Sequence, residues 1–200
     1  DGIASQVLTL AEDKGHSDAV AFALAARAVA AIGDGERSRA RDFALDARRL
    51  AERHPQKMFA TRTVILLNGL VDPWNGSLDQ TLHALNTSLA TSMAQQDYEF
   101  AATASALYAT NALLRGAELG SLKRELTEHL NELSVFDQIT GINIAAFVAQ
   151  IVSSLLVQTD SAATSAYAPS IKNADDRAAH AYVYILRLYY AVLFQDFRGT

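Results

Sequence analysis

"SLDQTLHALNTSLATSMAQ", residues 77–95, decides the fold class. Leu78, Leu82, Leu85, Leu89 and Met93 step through it by three or four, so in a helix they share one face. That face must be buried. In front of it stands "VDPWNGSL", residues 71–78, where Pro73 disfavours helix at Asp72 and Asn75-Gly76 supplies a turn. Ser77 is placed to cap the helix, with Gln80 three residues on in the capping-box position. Trp74, the only tryptophan, falls at this junction. It has two readings, a platform for a ligand or a ring packed across the joint. Its place just before a capped helix favours packing, and Trp74→Ala is then expected to cost ~3–5 kcal/mol.

Working outward, apolar positions recur with helical spacing along nearly the whole chain, and no stretch alternates as a strand would. Helix starts are expected at Ser17 or Asp18, Asp34, Asp97, Gly120 or Ser121, Thr140 and Asn173. Stops are expected at Gly33, Gly69 and Gly116, where a left-handed residue ends a helix cheaply. Asp34-Gly35, Asn75-Gly76, a turn near Glu118 and Asp160 then recur with a period of about 42 residues, each of the first three opening a pair of helices. The fold class expected is all-α: a right-handed α-solenoid of stacked helix hairpins, TPR-like, with about eight or nine helices in one domain over residues 1–200. Small residues support close helix approach: Ala19, Ala23, Ala26 and Ala30 on one face of a helix, and Ala101 and Ala104 after Asp97. Residues Thr159 to Lys172, rich in Ser, Ala and Thr with Pro169, read as a long loop.

Composition bounds the function. Two hundred residues, 50% hydrophobic with three prolines, suffice for a core and exclude a disordered chain. A net charge of −5 gives no overall pull toward nucleic-acid backbones. With no cysteine there is neither a disulfide framework nor thiolate-bound zinc, which fits a reducing cytoplasm. The apolar run Ile142 to Val157 is shorter than the ~20 residues of a membrane span and contains Asn143, Gln150, Ser153 and Ser154, so a buried helix is expected. The chain begins at Asp1 without a basic-then-apolar signal segment and is expected to be a piece of something longer.

Candidate chemistry is sparse. In "ELTEHLNEL" the residues Glu125, Glu128, His129 and Glu132 lie three or four apart and have the types of metal ligands, but no second Glu-x-x-His faces them, so they read as a solvated face. Asp79 and His83 receive the same reading. Arg37, Arg39, Arg41, Arg48, Arg49 and Arg53 suggest a nucleic-acid face, yet Glu36, Asp42, Asp46 and Glu52 are interspersed at pairing distance. Arg48 with Glu52 and Asp46 with Arg49 are the expected pairs in a self-neutralising helix, and a partner-docking surface stays open. Tyr182, Tyr184, Tyr189, Tyr190 and Phe194 near the end fit core packing better than an aromatic ligand box, because Tyr182, Leu186, Tyr189 or Tyr190, and Leu193 form a helical stripe. No phosphate loop, dinucleotide fingerprint, nucleophile elbow or kinase motif occurs. No catalytic, cofactor-binding or metal residue is therefore assigned.

The segment from Pro73 to Leu126, with Trp74 before a polar turn, Asp97-Tyr98 opening an alanine-rich helix and a Gly116-x-x-Leu119 step, resembles a known family. It is similar to the helical-repeat region of large bacterial and fungal signalling proteins. Those proteins join a serine/threonine-kinase-like domain, an AAA/STAND-type ATPase, these repeats, often a GAF domain, and a histidine kinase or other output domain. "AFALAARAVAAIGD" upstream and "AYVYILRLYYAVLFQDF" downstream extend the likeness. Pro73, Trp74, Gly76, Ser77, Asp97, Tyr98 and Gly116 serve as landmarks; the sequence departs from the pattern at Gln96, where glycine is expected, and at Pro73, where an aromatic or histidine is frequent. The resemblance implies a non-catalytic, cytoplasmic scaffold without cofactor. It would bind a protein partner or neighbouring domains of its own chain, with a homodimer left open, and neither nucleic acid nor membrane. The competing reading is a small-molecule sensor or all-α enzyme with a pocket between helices lined by Tyr108, Tyr182 or Tyr190.

Overall fold

A computed structural model describes residues 17–53, 55, 57–136 and 139–157, together with 180, 181, 184, 185 and 188. Among the described residues there are seven α-helices and no strand: α1 (Ser17–Gly33), α2 (Arg37–Glu52), α3 (Met58–Leu66), α4 (Leu78–Ala94), α5 (Tyr98–Arg115), α6 (Leu119–Leu133) and α7 (Ile139–Val157). The chain divides into two compact units, Asp1–Ala104 and Ser105–Thr200, with the boundary inside α5. The expected loop at Thr159 to Lys172, the turn at Asp160 and the helix start at Asn173 lie outside the described residues.

Three helix ends share one device. After α1, α4 and α5 a residue turns left-handed: Gly35 at φ 78°, Gln96 at 61° and Gly116 at 77°. The next amide donates five residues back, from Glu36 to Ala31, Asp97 to Ser92 and Ala117 to Ala112, at 2.8, 2.9 and 3.1 Å. The left-handed residue itself donates three residues back, to Ile32, Met93 and Leu113. This is the Schellman pattern, which satisfies carbonyls that the helix end would otherwise leave bare. Gly116 is thus a stop of the expected kind. Gly33 ends α1, but the left-handed residue is Gly35. Gly69 is not a stop: the chain runs on from α3 through a π turn, Leu67–Val71, and a 3-10 turn, Asp72–Trp74. Leu67 and Val71 are fully buried and hold this extension in the core, while Pro73 has no N–H to continue an α-helical ladder.

In the first unit α1 lies against α2, and α3 packs on both. The interface is rich in alanine. Ala25, Ala28, Ala44 and Ala47 close around Leu67 and Val71, and Ala21, Ala51 and Ala60 form a second cluster. Small side chains let helix axes approach closely. The alanine face expected on α1 is corrected here. Ala30 is exposed, Ala19 and Ala26 are half-buried, and the buried stripe runs through Ala21, Ala25 and Ala28, with Ala23 also buried. Apolar residues surround α1 on nearly all sides, so spacing alone does not select its inner face.

Helix α4 buries Leu82, Leu85 and Leu89 as its spacing requires, with Leu78 and Met93 at the margins. Ser77 occupies the N-cap position with extended dihedrals, but its side chain makes no capping bond, so the capping box with Gln80 does not form. The turn between α4 and α5 is held from α3 instead. Arg62 donates from Nε and Nη2 to the two carboxylate oxygens of Asp97 at 2.7 and 3.0 Å. Its guanidinium lies 4.5 Å from the Phe100 ring centroid and 5.5 Å from that of Phe59. Phe22 packs against both rings at 5.8 Å.

In the second unit, α6 starts at Leu119, slightly before the expected Gly120 or Ser121, because Glu118 is the cap. Its carboxylate accepts from the amides of Gly120 and Ser121 at 2.7 and 2.6 Å, and these bonds hold its pKa below the usual carboxylate value. Leu122, Leu126, His129 and Leu133 form the buried stripe of α6, which packs against α7. The apolar run expected at Ile142 to Val157 belongs to a longer helix. Its stretch Thr140–Val157 is long and apolar enough to cross a membrane by length and composition, while Phe147, Val148, Ile151 and Val152 are buried as core.

Gln96 carries a side chain where the backbone favours glycine. Gln96→Gly is expected to raise stability by about 0.5–1 kcal/mol, since a left-handed non-glycine residue costs roughly 1–2 kcal/mol and glycine loses part of that gain in chain entropy. Urea unfolding checks this, and a lower midpoint would refute it.

Candidate functional site

The polar centre of the first unit is Arg48. Its place on α2 directs the guanidinium to the 3-10 turn, where Nη2 donates to Asp72 Oδ2 at 2.5 Å. The expected partner Glu52 is not used: the fork reaches a half-buried carboxylate on another element in preference to an exposed one on its own helix. Burial pushes the Asp72 pKa up, and the charge and hydrogen bond of Arg48 pull it back only in part. The Asp72 carbonyl accepts from the amides of Asn75 and Gly76 at 2.9 and 2.8 Å, closing the turn.

Three open hollows meet at Arg48. One of 370 Å³ lies among Ala51, Ala60, Val64 and Thr91. A second of 330 Å³ is lined by Asn68, Asn75, Gln80 and Thr81. The third, of 300 Å³, lies between Arg41, Leu45 and Val71. Along them the groove offers guanidinium, amide and hydroxyl groups above alanine and valine walls. Several polar groups are already engaged, Asn68 Nδ2 donating to the Val64 carbonyl and the hydroxyls of Thr87 and Thr91 to carbonyls one turn back. The Thr81 hydroxyl is buried and has no partner. No histidine lines the three hollows. Such a groove can bind polar and apolar groups side by side.

Trp74 is not the bolt of the joint. It is 57% exposed, with the Arg37 guanidinium 5.7 Å from its ring. The buried Leu67 and Val71 and the Arg48–Asp72 pair occupy the joint in its place. Asn75, Gly76 and Ser77 are exposed around it and Pro73 is half-buried. Asp97 opens α5 through its carbonyl, which accepts from Ala101, while its buried side chain serves Arg62. Tyr98 is half-buried.

The arginines of α2 are sorted by side. Arg39 with Glu36 at 2.9 Å and Arg49 with Asp46 at 3.3 Å neutralise the outward face. Arg41 and Arg48 line the groove, and Arg37 stands over the Trp74 ring. Asp79 and His83 are exposed as expected.

The second unit corrects the solvated-face reading of "ELTEHLNEL". Glu128 and Glu132 are exposed, but His129 is 8% exposed, with Ser105 Oγ 3.4 Å from Nδ1. The Tyr108 ring meets the imidazole edge-on at 5.3 Å, and its hydroxyl donates to the Glu125 carboxylate. Burial, then the hydrogen bond and charge of Glu125, push the Tyr108 pKa up. Ser105 is wholly buried, which keeps substrate from its hydroxyl. The signal was present in the sequence: His129 continues the stripe Leu122, Leu126, Leu133. Among the described residues no group of three or more His, Asp or Glu stands ready to hold a metal ion. Tyr184 is exposed; Tyr182, Tyr189, Tyr190 and Phe194 lie outside the described residues.

No family model, curated protein or solved structure matches this chain.

His129 makes stability depend on pH. Burial lowers its pKa from 6.5, against the opposing pull of Glu132, Glu125 and Glu128. The folded state thus binds the proton less readily than the unfolded state, and stability falls as pH drops below the ordinary histidine value. Denaturant midpoints at pH 7 and pH 5 are expected to lie closer together in His129→Gln than in the parent chain; equal gaps would exclude this role.

Proposed function

We propose that this chain is a non-catalytic scaffold: a TPR-like, right-handed α-solenoid of about eight or nine helices that presents a groove to a protein partner or to neighbouring domains. In this reading it is a cytoplasmic regulatory segment of a signalling protein, relaying state between an AAA/STAND-type ATPase and an output kinase. The observation that supports it best is the open groove around Arg48, whose walls set guanidinium, amide and hydroxyl groups beside apolar side chains. Turns at Gly35, Gly76 and Gly116, each preceding a pair of helices, suit a hairpin repeat. The resemblance around Trp74, Asp97-Tyr98 and Gly116 supplies the signalling context.

A second reading, a small-molecule sensor, draws on the unpartnered Thr81 hydroxyl beside the 330 Å³ hollow. A thermal-shift screen against metals, nucleotides and metabolites separates the two. A ligand at 100 times its Kd adds about 2.7 kcal/mol to the folded state, a rise of several degrees, and the scaffold reading expects none.

Removal of residues 17–157 from the full-length protein, with flanking kinase and ATPase segments kept, is expected to alter signal-dependent output without abolishing ATP hydrolysis. An unchanged response would remove the regulatory role.

A further inference from the structure

Among the described residues, two cations on the edge of α2 are left without a carboxylate. Arg37, Arg41, Leu45 and Arg48 follow at intervals of four, four and three and so share a side of the helix, and Asp42 and Asp46 point away from it. Arg48 is neutralised by Asp72 and Arg37 stands over the Trp74 ring. Neither Arg37 nor Arg41 has an ion pair among the described residues. Beside them two large apolar side chains face solvent, Trp74 at 57% and Leu45 at 45%. Between Arg41, Leu45 and Val71 opens the 300 Å³ hollow. This is at the low end of the ~300–1,000 Å³ of ligand pockets and suits a side chain better than a cofactor.

Tryptophan and arginine are the side chains that most often carry binding energy at protein interfaces, especially around a pocket that an apolar anchor fills. The rest of the surface argues for the charge of the partner. The chain carries −5 overall, so a local pair of uncompensated arginines is a specific feature and not part of a general basic coat. Nucleic acid fits less well, because phosphate backbones reward a long cationic track, and Asp42, Asp46 and Glu52 interrupt α2 beyond this edge.

We propose that the edge formed by Arg37, Arg41, Leu45 and Trp74 binds an acidic segment of a partner protein. A bulky apolar side chain of that segment enters the hollow between Leu45 and Val71, and a carboxylate next to it pairs with Arg41. The inference rests on the scaffold reading and names the surface and partner chemistry it uses.

The test is a display selection of random 12-residue peptides on the purified 200-residue chain, followed by titration of the selected tryptophan-free peptides. Trp74 is the only tryptophan, so its emission reports from the site itself. Selected peptides are expected to carry Asp or Glu next to Leu, Ile or Phe, to shift Trp74 emission, and to bind more weakly as salt rises. Arg41→Glu and Trp74→Ala are each expected to weaken binding roughly tenfold or more, whereas Arg53→Glu, just past the C-terminal end of α2, leaves it unchanged. An unaltered thermal unfolding curve for Arg41→Glu establishes that the fold is intact. Basic or uncharged peptides, or affinity that ignores Arg41, would overturn the inference while leaving the scaffold reading standing. Failure to select any peptide would count against both. A 12-nucleotide single strand that binds this edge more tightly than any peptide would replace the proposed partner with nucleic acid.

Discussion

The two oxygens of Asp97 are gripped by the guanidinium fork of Arg62, between the rings of Phe59 and Phe100. Much of the first unit depends on this contact. The helix interfaces there are rich in alanine, which permits close approach but carries little directional information. A bidentate ion pair is directional, and with Asp97 only 3% exposed it is also hard to dissolve in water. It fixes α3 against the turn where α4 ends and α5 begins. The neighbouring Gln96 is held left-handed without the help of glycine, so the turn needs an anchor from outside. Arg48 and Asp72 repeat the device one turn earlier in the chain: an arginine on a preceding helix holds the aspartate of a turn. In both cases the acid sits at a connection and the base on a helix already placed.

This arrangement explains which features were legible in the sequence. The leucine stripe of α4 and the glycine at 116 were readable because each obeys a local rule, helical spacing in one case and left-handed geometry in the other. Even the departure at Gln96 was informative, since the backbone there does what a glycine would do. The grips by Arg48 and Arg62 span 24 and 35 residues, and nothing in local spacing distinguishes such a partner from Glu52, which lies four residues from Arg48. Trp74 is the opposite case: local signals place it at the turn, but that Leu67 and Val71 fill the joint and leave the indole exposed depends on several helices together. His129 shows how a polar residue on an apolar stripe is overlooked when its charged neighbours are read first.

The same physics shapes the candidate site. Because Asp72 engages Arg48, the groove beneath the turn is polar yet nearly neutral at its centre, and the uncompensated charge moves outward to Arg37 and Arg41. Because the indole is kept out of the core, it stands at that edge beside Leu45. The joint between helix pairs and the binding edge are thus two sides of one turn, a placement that would let an occupant of the edge act on the packing of α2 against α3.

A double-mutant cycle on Arg62→Met and Asp97→Asn, measured by urea unfolding, bears most directly on the claim that the first unit is fastened by this pair. A coupling of at least about 1.5 kcal/mol is predicted, within the range for residues that share a buried network. Additive effects, with coupling below roughly 0.5 kcal/mol, would show that the alanine and aromatic packing holds the turn unaided and would contradict the account.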